Sequence, residues 1–449
     1  MCAAAFMVPF MGSAINLALP QIGAAFSMNA VTLTYMATAY LISTAIFQIP
    51  FARMADIVGR KKVFLLGVLT FVVCTVMCGF ASSGGALIAL RFLSGIGSAM
   101  MFGTNIAIIS SLFPPERRGK ALGVNSAVVY AALAAGPFFG GMLTHYLGWQ
   151  SIFFTAAAIG LLVYIFARIV LRGGEWVEAR GEKFDYLGSL LYGCGLAGVI
   201  YGFSSFPNLH GIIFLAAGIV LFALFARYEL RHASPVFNLR LFSGNKVLSL
   251  SSLAALINYA ATSGIGFMLS LYLQYIRGLD ARNAGLILIS QALIQSAFSL
   301  VAGSLSTRFA PSKIAMAGMI IIVAGLTGLI FLGPSTPYWI LIILLLLLGI
   351  GFGIFSSPNT NVIMSSVGKK DYSTASATTG TMRLTGQAFS MGIASLAISV
   401  KLGSEKIIPE LHPDFLSSMR ITFIIFTVLC IIGIYASSVR VKEISKEGN

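Results

Sequence analysis

Apolar residues occupy this chain in long blocks separated by short polar stretches, so block length says more than periodicity. A helix of about 20 apolar residues crosses ~30 Å of hydrocarbon. Fourteen blocks reach that length, centred at about residues 13, 42, 71, 98, 132, 160, 196, 219, 260, 293, 323, 347, 386 and 429. In lipid every backbone N–H and C=O must be paired internally, and for a single segment only a helix does that. The pattern therefore predicts an all-α membrane protein with 14 transmembrane helices.

The short connections predict how the chain is oriented. Alternate connections hold most of the basic residues: Arg53, Arg60, Lys61 and Lys62 first, then Arg117, Arg118 and Lys120, then Arg172, Arg180 and Lys183, and onward to Arg440, Lys442 and Lys446. The first four connections on the other side hold none. Basic loops favour the cytoplasm, which predicts that both termini are cytoplasmic and that the span count is even. The expected location is the plasma membrane of a prokaryote. Met1 runs straight into the first span, so no cleavable signal is expected. That abrupt start also predicts either a missing cytosolic tail or a misplaced start codon.

Composition narrows the class further. Of 449 residues, 57% are hydrophobic and 10% charged, with mean hydropathy +0.91. A soluble domain carries about 25% charged residues, so a water-soluble protein is excluded. The net charge of +15 lies in loops rather than on one basic face, which argues against a nucleic-acid partner. Cys2, Cys74, Cys78, Cys194 and Cys430 all sit inside apolar blocks, as small packing residues do; no disulfide framework is expected.

An internal repeat organises the chain. Gly95-Ile96-Gly97 recurs as Gly349-Ile350-Gly351, with Asn105 matching Asn359 and Ala121 matching Ala375 at an offset of 254. The reading is an N-terminal six-span bundle (1–172), a linker with two additional spans (173–246), a C-terminal six-span bundle (247–440) and a cytoplasmic tail (441–449). Parallel repeats of this kind place a substrate site between them near the midplane.

Four motifs identify a resemblance. Asp56-Ile57-Val58-Gly59-Arg60-Lys61 closely resembles the loop joining spans two and three of major facilitator superfamily transporters. Ile15-Asn16-Leu17-Ala18-Leu19-Pro20, the fourth-span run Arg91 to Ala99 and Gly136-Pro137-Phe138-Phe139-Gly140-Gly141 resemble motifs of its fourteen-span drug:proton antiporter branch. The resemblance implies a major facilitator fold, two six-helix bundles with two extra central helices. It also implies a gating role for Asp56, Gly59, Arg60 and Lys61 in the hairpin, and for Gly136, Pro137, Gly140 and Gly141 in the fifth span.

Polar side chains within spans are the cavity or coupling candidates: Asn16, Gln48, Arg91, Asn105, Tyr130, Asn258, Gln291, Gln295 and Asn359. Gln291 and Gln295, four apart, share one helix face. A central Arg costs roughly 2.5–3.5 kcal/mol on insertion scales, so Arg91 should face a cavity or a partner. Arg383, near the start of the thirteenth span, is left between snorkelling to the cytoplasmic side and staying inside. The branch carries an Asp in its first span where this chain has Met11, and all fourteen acids fall in loops or at helix ends. That departure argues against standard proton antiport and, with Arg91, for anionic or neutral cargo. His145, at the outer end of the fifth span, reads as an interfacial residue.

No catalytic constellation, metal-ligand spacing or phosphate-binding loop is present. The expectation is a secondary transporter, not an enzyme, exporting amphipathic small molecules or drugs by alternating access. It needs no cofactor or metal, and its partners are a small-molecule substrate and the lipid bilayer, with coupling to protons left open. A monomer is expected. The alternatives are a facilitator or exporter of an anionic or neutral metabolite and, from another class, a non-transporting membrane sensor.

Overall fold

The computed structural model describes the backbone of residues 1–113, 115–171, 174–205, 208–232, 234–237, 239–306, 308–367, 372–403 and 405–447. Within these it describes all side chains except those of 110, 115–123, 126, 130, 204, 241, 243, 372–374, 376–377 and 438–447. Fourteen long helices follow in order. They are α1 (Cys2–Ala25), α2 (Ala30–Val58), α3 (Arg60–Gly79), α4 (Gly84–Leu112), α5 (Pro115–Leu147), α6 (Gln150–Val170) and α7 (Tyr186–Ser205). The rest are α8 (Leu209–Glu229), α9 (Lys246–Ile276), α10 (Ala281–Leu305), α11 (Pro311–Ile330), α12 (Tyr338–Ser365), α13 (Tyr372–Leu402) and α14 (His412–Glu447). Among the described residues there is no strand.

Thirteen of these runs are long and apolar enough to cross a membrane. The remaining helix, α13, is 31 residues long and packs among them with Thr378, Thr381, Thr385, Ser390 and Ser395 buried. Each helix covers the centre of one apolar block, so the fourteen-helix expectation is met. The ninth run is interrupted: its α-helix breaks at 261–264 and finishes in a π-helical turn, Tyr272–Ile276.

Helix starts follow local chemistry. The Asn29 side chain accepts from the Thr32 N–H at 2.7 Å to begin α2, and Asp280 accepts from the Asn283 N–H at 2.7 Å to begin α10, each satisfying an end donor. Between α2 and α3 the chain turns on Gly59 alone, at φ +129°. That conformation suits a residue without Cβ.

Packing repeats as the sequence does. In the first half α1 lies against α5 and α6, α3 against α4 and α6, and α2 against α4. Eight helices later α9 lies against α13 and α14, α11 against α12 and α14, and α10 against α12. The motif glycines explain the closeness. A Cβ at Gly97 would stand 2.5 Å from the Phe71 backbone nitrogen, and one at Gly351 would stand 2.9 Å from that of Ile322. With lipid as solvent, such small-residue contacts hold helices together through packing rather than hydrophobic exclusion.

The halves meet where α5 packs on α10 and where α2 packs on α13. Helices α7 and α8 pair with each other, and α7 docks on α2 and α13. Only 17% of the α8 span is buried, against 61% of α1; α8 is therefore peripheral and α1 central.

Candidate functional site: a cavity between the halves and its two ends

A cavity of about 200 Å³ lies between the halves, walled by α1, α2, α4 and α5 on one side and α9, α10, α12 and α13 on the other. Asn16, Gln291 and Gln295 line it, as the sequence expects of them as cavity residues. Tyr259, Arg383 and Gln387 line it as well. Arg383 does not snorkel away. Its guanidinium carbon stands 4.8 Å from the centroid of the Phe102 ring on α4, a cation–π contact from one half to the other. No Asp or Glu is among the described lining residues.

Arg91, Asn105, Asn359, Asn258 and Gln48 are not among the described lining residues. Arg91 is 1% exposed and sits between α4 and α2 inside the first half. Its Nε donates to the Met36 carbonyl at 2.8 Å, and its guanidinium carbon lies 5.3 Å from the Tyr40 ring centroid. Nη1 and Nη2 have no hydrogen-bond partner among the described residues. The expectation that Arg91 faces a partner fits this placement; the cavity does not reach it. Asn105 donates to the Asn125 Oδ1 at 2.8 Å, joining α4 to α5, and Asn359 donates to the Ser251 carbonyl at 3.2 Å, joining α12 to α9. Asn258 is buried with both amide atoms unpartnered, and Gln48 is buried beside Gly380 of α13. The Tyr130 side chain lies outside the described residues.

At one end of the molecule the basic hairpin is clamped by the segment between α6 and α7. Arg60 is 3% exposed. Its Nε donates to Asp56 at 2.7 Å, its Nη1 and Nη2 donate to the two Glu178 oxygens at 2.7 and 2.5 Å, and Nη1 also reaches Ser111 at 2.9 Å. This bidentate fork is the strong form of the pair. Glu175 accepts from the Lys61 N–H at 2.7 Å and the Lys62 N–H at 3.3 Å, placing a carboxylate on the open N-terminus of α3. A Cβ on Gly59 would collide with that Glu175 side chain. Arg53 pairs with Glu182, and the backbone adds Arg60 N–H to Trp176 and Ala179 N–H to Asp56, at 3.1 and 3.0 Å. Asp185 and Glu229, which the sequence placed at helix ends, are both buried near this end.

The opposite end is a seam. Gly136 and Gly140 of α5 take Ser13 and Ala14 of α1 at backbone distance. Gly141 leaves room for the Ala281 carbonyl, 2.5 Å from where its Cβ would be, and Gly285 of α10 abuts the Pro137 carbonyl. On the other side of the cleft the Thr34 and Ser395 hydroxyls lie 2.8 Å apart. Ser270 donates to the Asn16 carbonyl at 2.6 Å, and His145 Nδ1 stands 3.5 Å from Asp280.

Comparisons with known proteins agree with this architecture. The chain is 28% identical over 366 residues to the riboflavin transporter RibZ of Clostridioides difficile, covering 82% of this chain and 80% of that protein. It is 27% identical over 392 residues to the methylenomycin A resistance protein of Bacillus subtilis, covering 86% and 83%. Among solved structures it matches a bacterial homolog of the human lysosomal transporter Spinster, crystallised inward-facing, with TM-score 0.66 and 19% identity over 98% of this chain and 96% of that one. A family model described as Major Facilitator Superfamily matches residues 1–249 and 251–448. The chain belongs to the Major Facilitator Superfamily, and is a multi-pass membrane transporter of that family.

Proposed function

We propose that the protein exports compact amphipathic small molecules across a prokaryotic plasma membrane by alternating access, with 1–172 and 247–440 rocking about the central cavity. The observation carrying this reading is the cavity itself: facing walls from both halves, closed at the end remote from the hairpin by glycine-lined seams. Seams of small residues separate and reclose without leaving large voids, which a rocking interface requires. Resistance proteins among the relatives, such as those for methylenomycin A and tetracenomycin C, support an export direction. The riboflavin transporter among them keeps a metabolite cargo open as the second reading.

In this proposal the hairpin end faces the cytoplasm, both termini lie there, and the chain rests with its cavity open to that side. The experiment is flux in proteoliposomes. Gly141→Leu should abolish transport at near-normal abundance, because the new side chain meets the Ala281 backbone of the facing half. Undiminished flux in that variant would remove the gating role of the fifth helix.

A further inference from the structure

The two walls of the cavity differ in polarity although corresponding helices build them. Arg383, Gln387 and Met391 on α13 stand 254 positions after Val129, Leu133 and Pro137 on α5, and all six line the cavity. Helix α10 contributes Gln291 and Gln295 to the lining, where α2 contributes Ala37 and Leu41. The first-half wall is thus largely aliphatic and uncharged, and the second-half wall is amide-rich with a cation. Among the described lining residues Arg383 is the sole Lys, Arg, Asp or Glu. Phe102 faces its guanidinium from the opposite half, 4.8 Å from ring centroid to guanidinium carbon.

A half-buried guanidinium beside apolar walls and without a counter-ion carries a partial desolvation cost. A ligand bearing a carboxylate or similar planar anion relieves that cost and matches the guanidinium fork. Resting on the transporter reading above, we infer that the cavity selects compact amphipathic anions. The apolar body lies against Val129, Leu133 and Leu41; the anionic group pairs with Arg383, flanked by Gln387 and Gln291. The cavity volume of about 200 Å³ falls below the roughly 300–1,000 Å³ typical of drug-sized sites, which favours one ring system over a large polycycle.

The test uses the purified full-length protein in lipid nanodiscs and three probes sharing one ring system: 2-naphthoate, neutral 2-naphthamide and 2-naphthylmethylammonium. Affinities are read by titration calorimetry at fixed ionic strength. The expected result is 2-naphthoate binding about tenfold or more tighter than the ammonium, the size of one charge-assisted pair. Arg383→Gln should erase that preference, bringing 2-naphthoate and 2-naphthylmethylammonium to comparable affinity. Gln387→Glu, which keeps Arg383 but sets a carboxylate one turn away, should erase it as well. Equal affinities in the wild-type protein, a preference for the ammonium, or a naphthoate preference surviving both substitutions overturns the inference. Flux of the same probes in proteoliposomes is read separately. Charge-selective binding without flux refutes the export reading and leaves the ligand class standing.

Discussion

Arg91 and Arg383 are both arginines within spans, and their surroundings give them different work. Arg91 is packed between Tyr40 and the Met36 carbonyl with two guanidinium nitrogens unpaired, so its side chain fills space within one half. Arg91→Ala should therefore cost stability, about 2–5 kcal/mol by analogy with other large-to-small core changes. The readout is a lower melting temperature of the purified protein, with the charge preference for probes unchanged. A variant that keeps its melting temperature but loses that preference would return Arg91 to the cavity. Glutamines 291 and 295 were legible in the sequence because a spacing of four fixes a shared face. Arg383 was not, because a position near a helix start permits snorkelling and only the tilt of α13 decides it.

The segment between α6 and α7 is an element the sequence reading treated as a linker. Glu175, Glu178 and Glu182 instead meet the hairpin cations and the α3 N-terminus. The signal was present as three acids beside a basic loop, but Coulomb complementarity between segments more than 110 positions apart has no local signature. Glu178 is 63% exposed, so solvent screens much of the attraction and Glu178→Ala should cost only about 1 kcal/mol. Its sharper effect is local: amide exchange in residues 174–182 should accelerate, because the strap loses its bidentate anchor. Unchanged protection there would mean that the backbone bonds of Trp176 and Ala179 suffice.

Rocking of two halves predicts that fastening one end stops the cycle. Thr34 and Ser395 face each other with hydroxyls 2.8 Å apart, so Thr34→Cys/Ser395→Cys should form a disulfide under mild oxidant. Flux should fall to background and return on reduction. Flux persisting in the fully oxidised protein would exclude opening at that seam. Orientation has its own check: a cysteine at exposed Ser83 should label from outside the cell and one at exposed Lys183 should not. The opposite pattern overturns the orientation argued from basic loops.

What the sequence by itself determined is the set of properties that depend on length, local conformation and repetition. Fourteen helices followed from block length because lipid leaves the backbone no alternative. The first hairpin followed from a short basic loop between two apolar blocks, and the paired halves from the 254-residue offset. The tertiary structure decided which face of each helix looks inward. Lipid-facing and buried faces are both apolar here, as exposed Leu162 and Phe166 beside buried Val163 and Ala167 on α6 illustrate, so periodicity gives little contrast. How the helices pack against one another placed Arg383 on the cavity wall and buried Arg91 away from it.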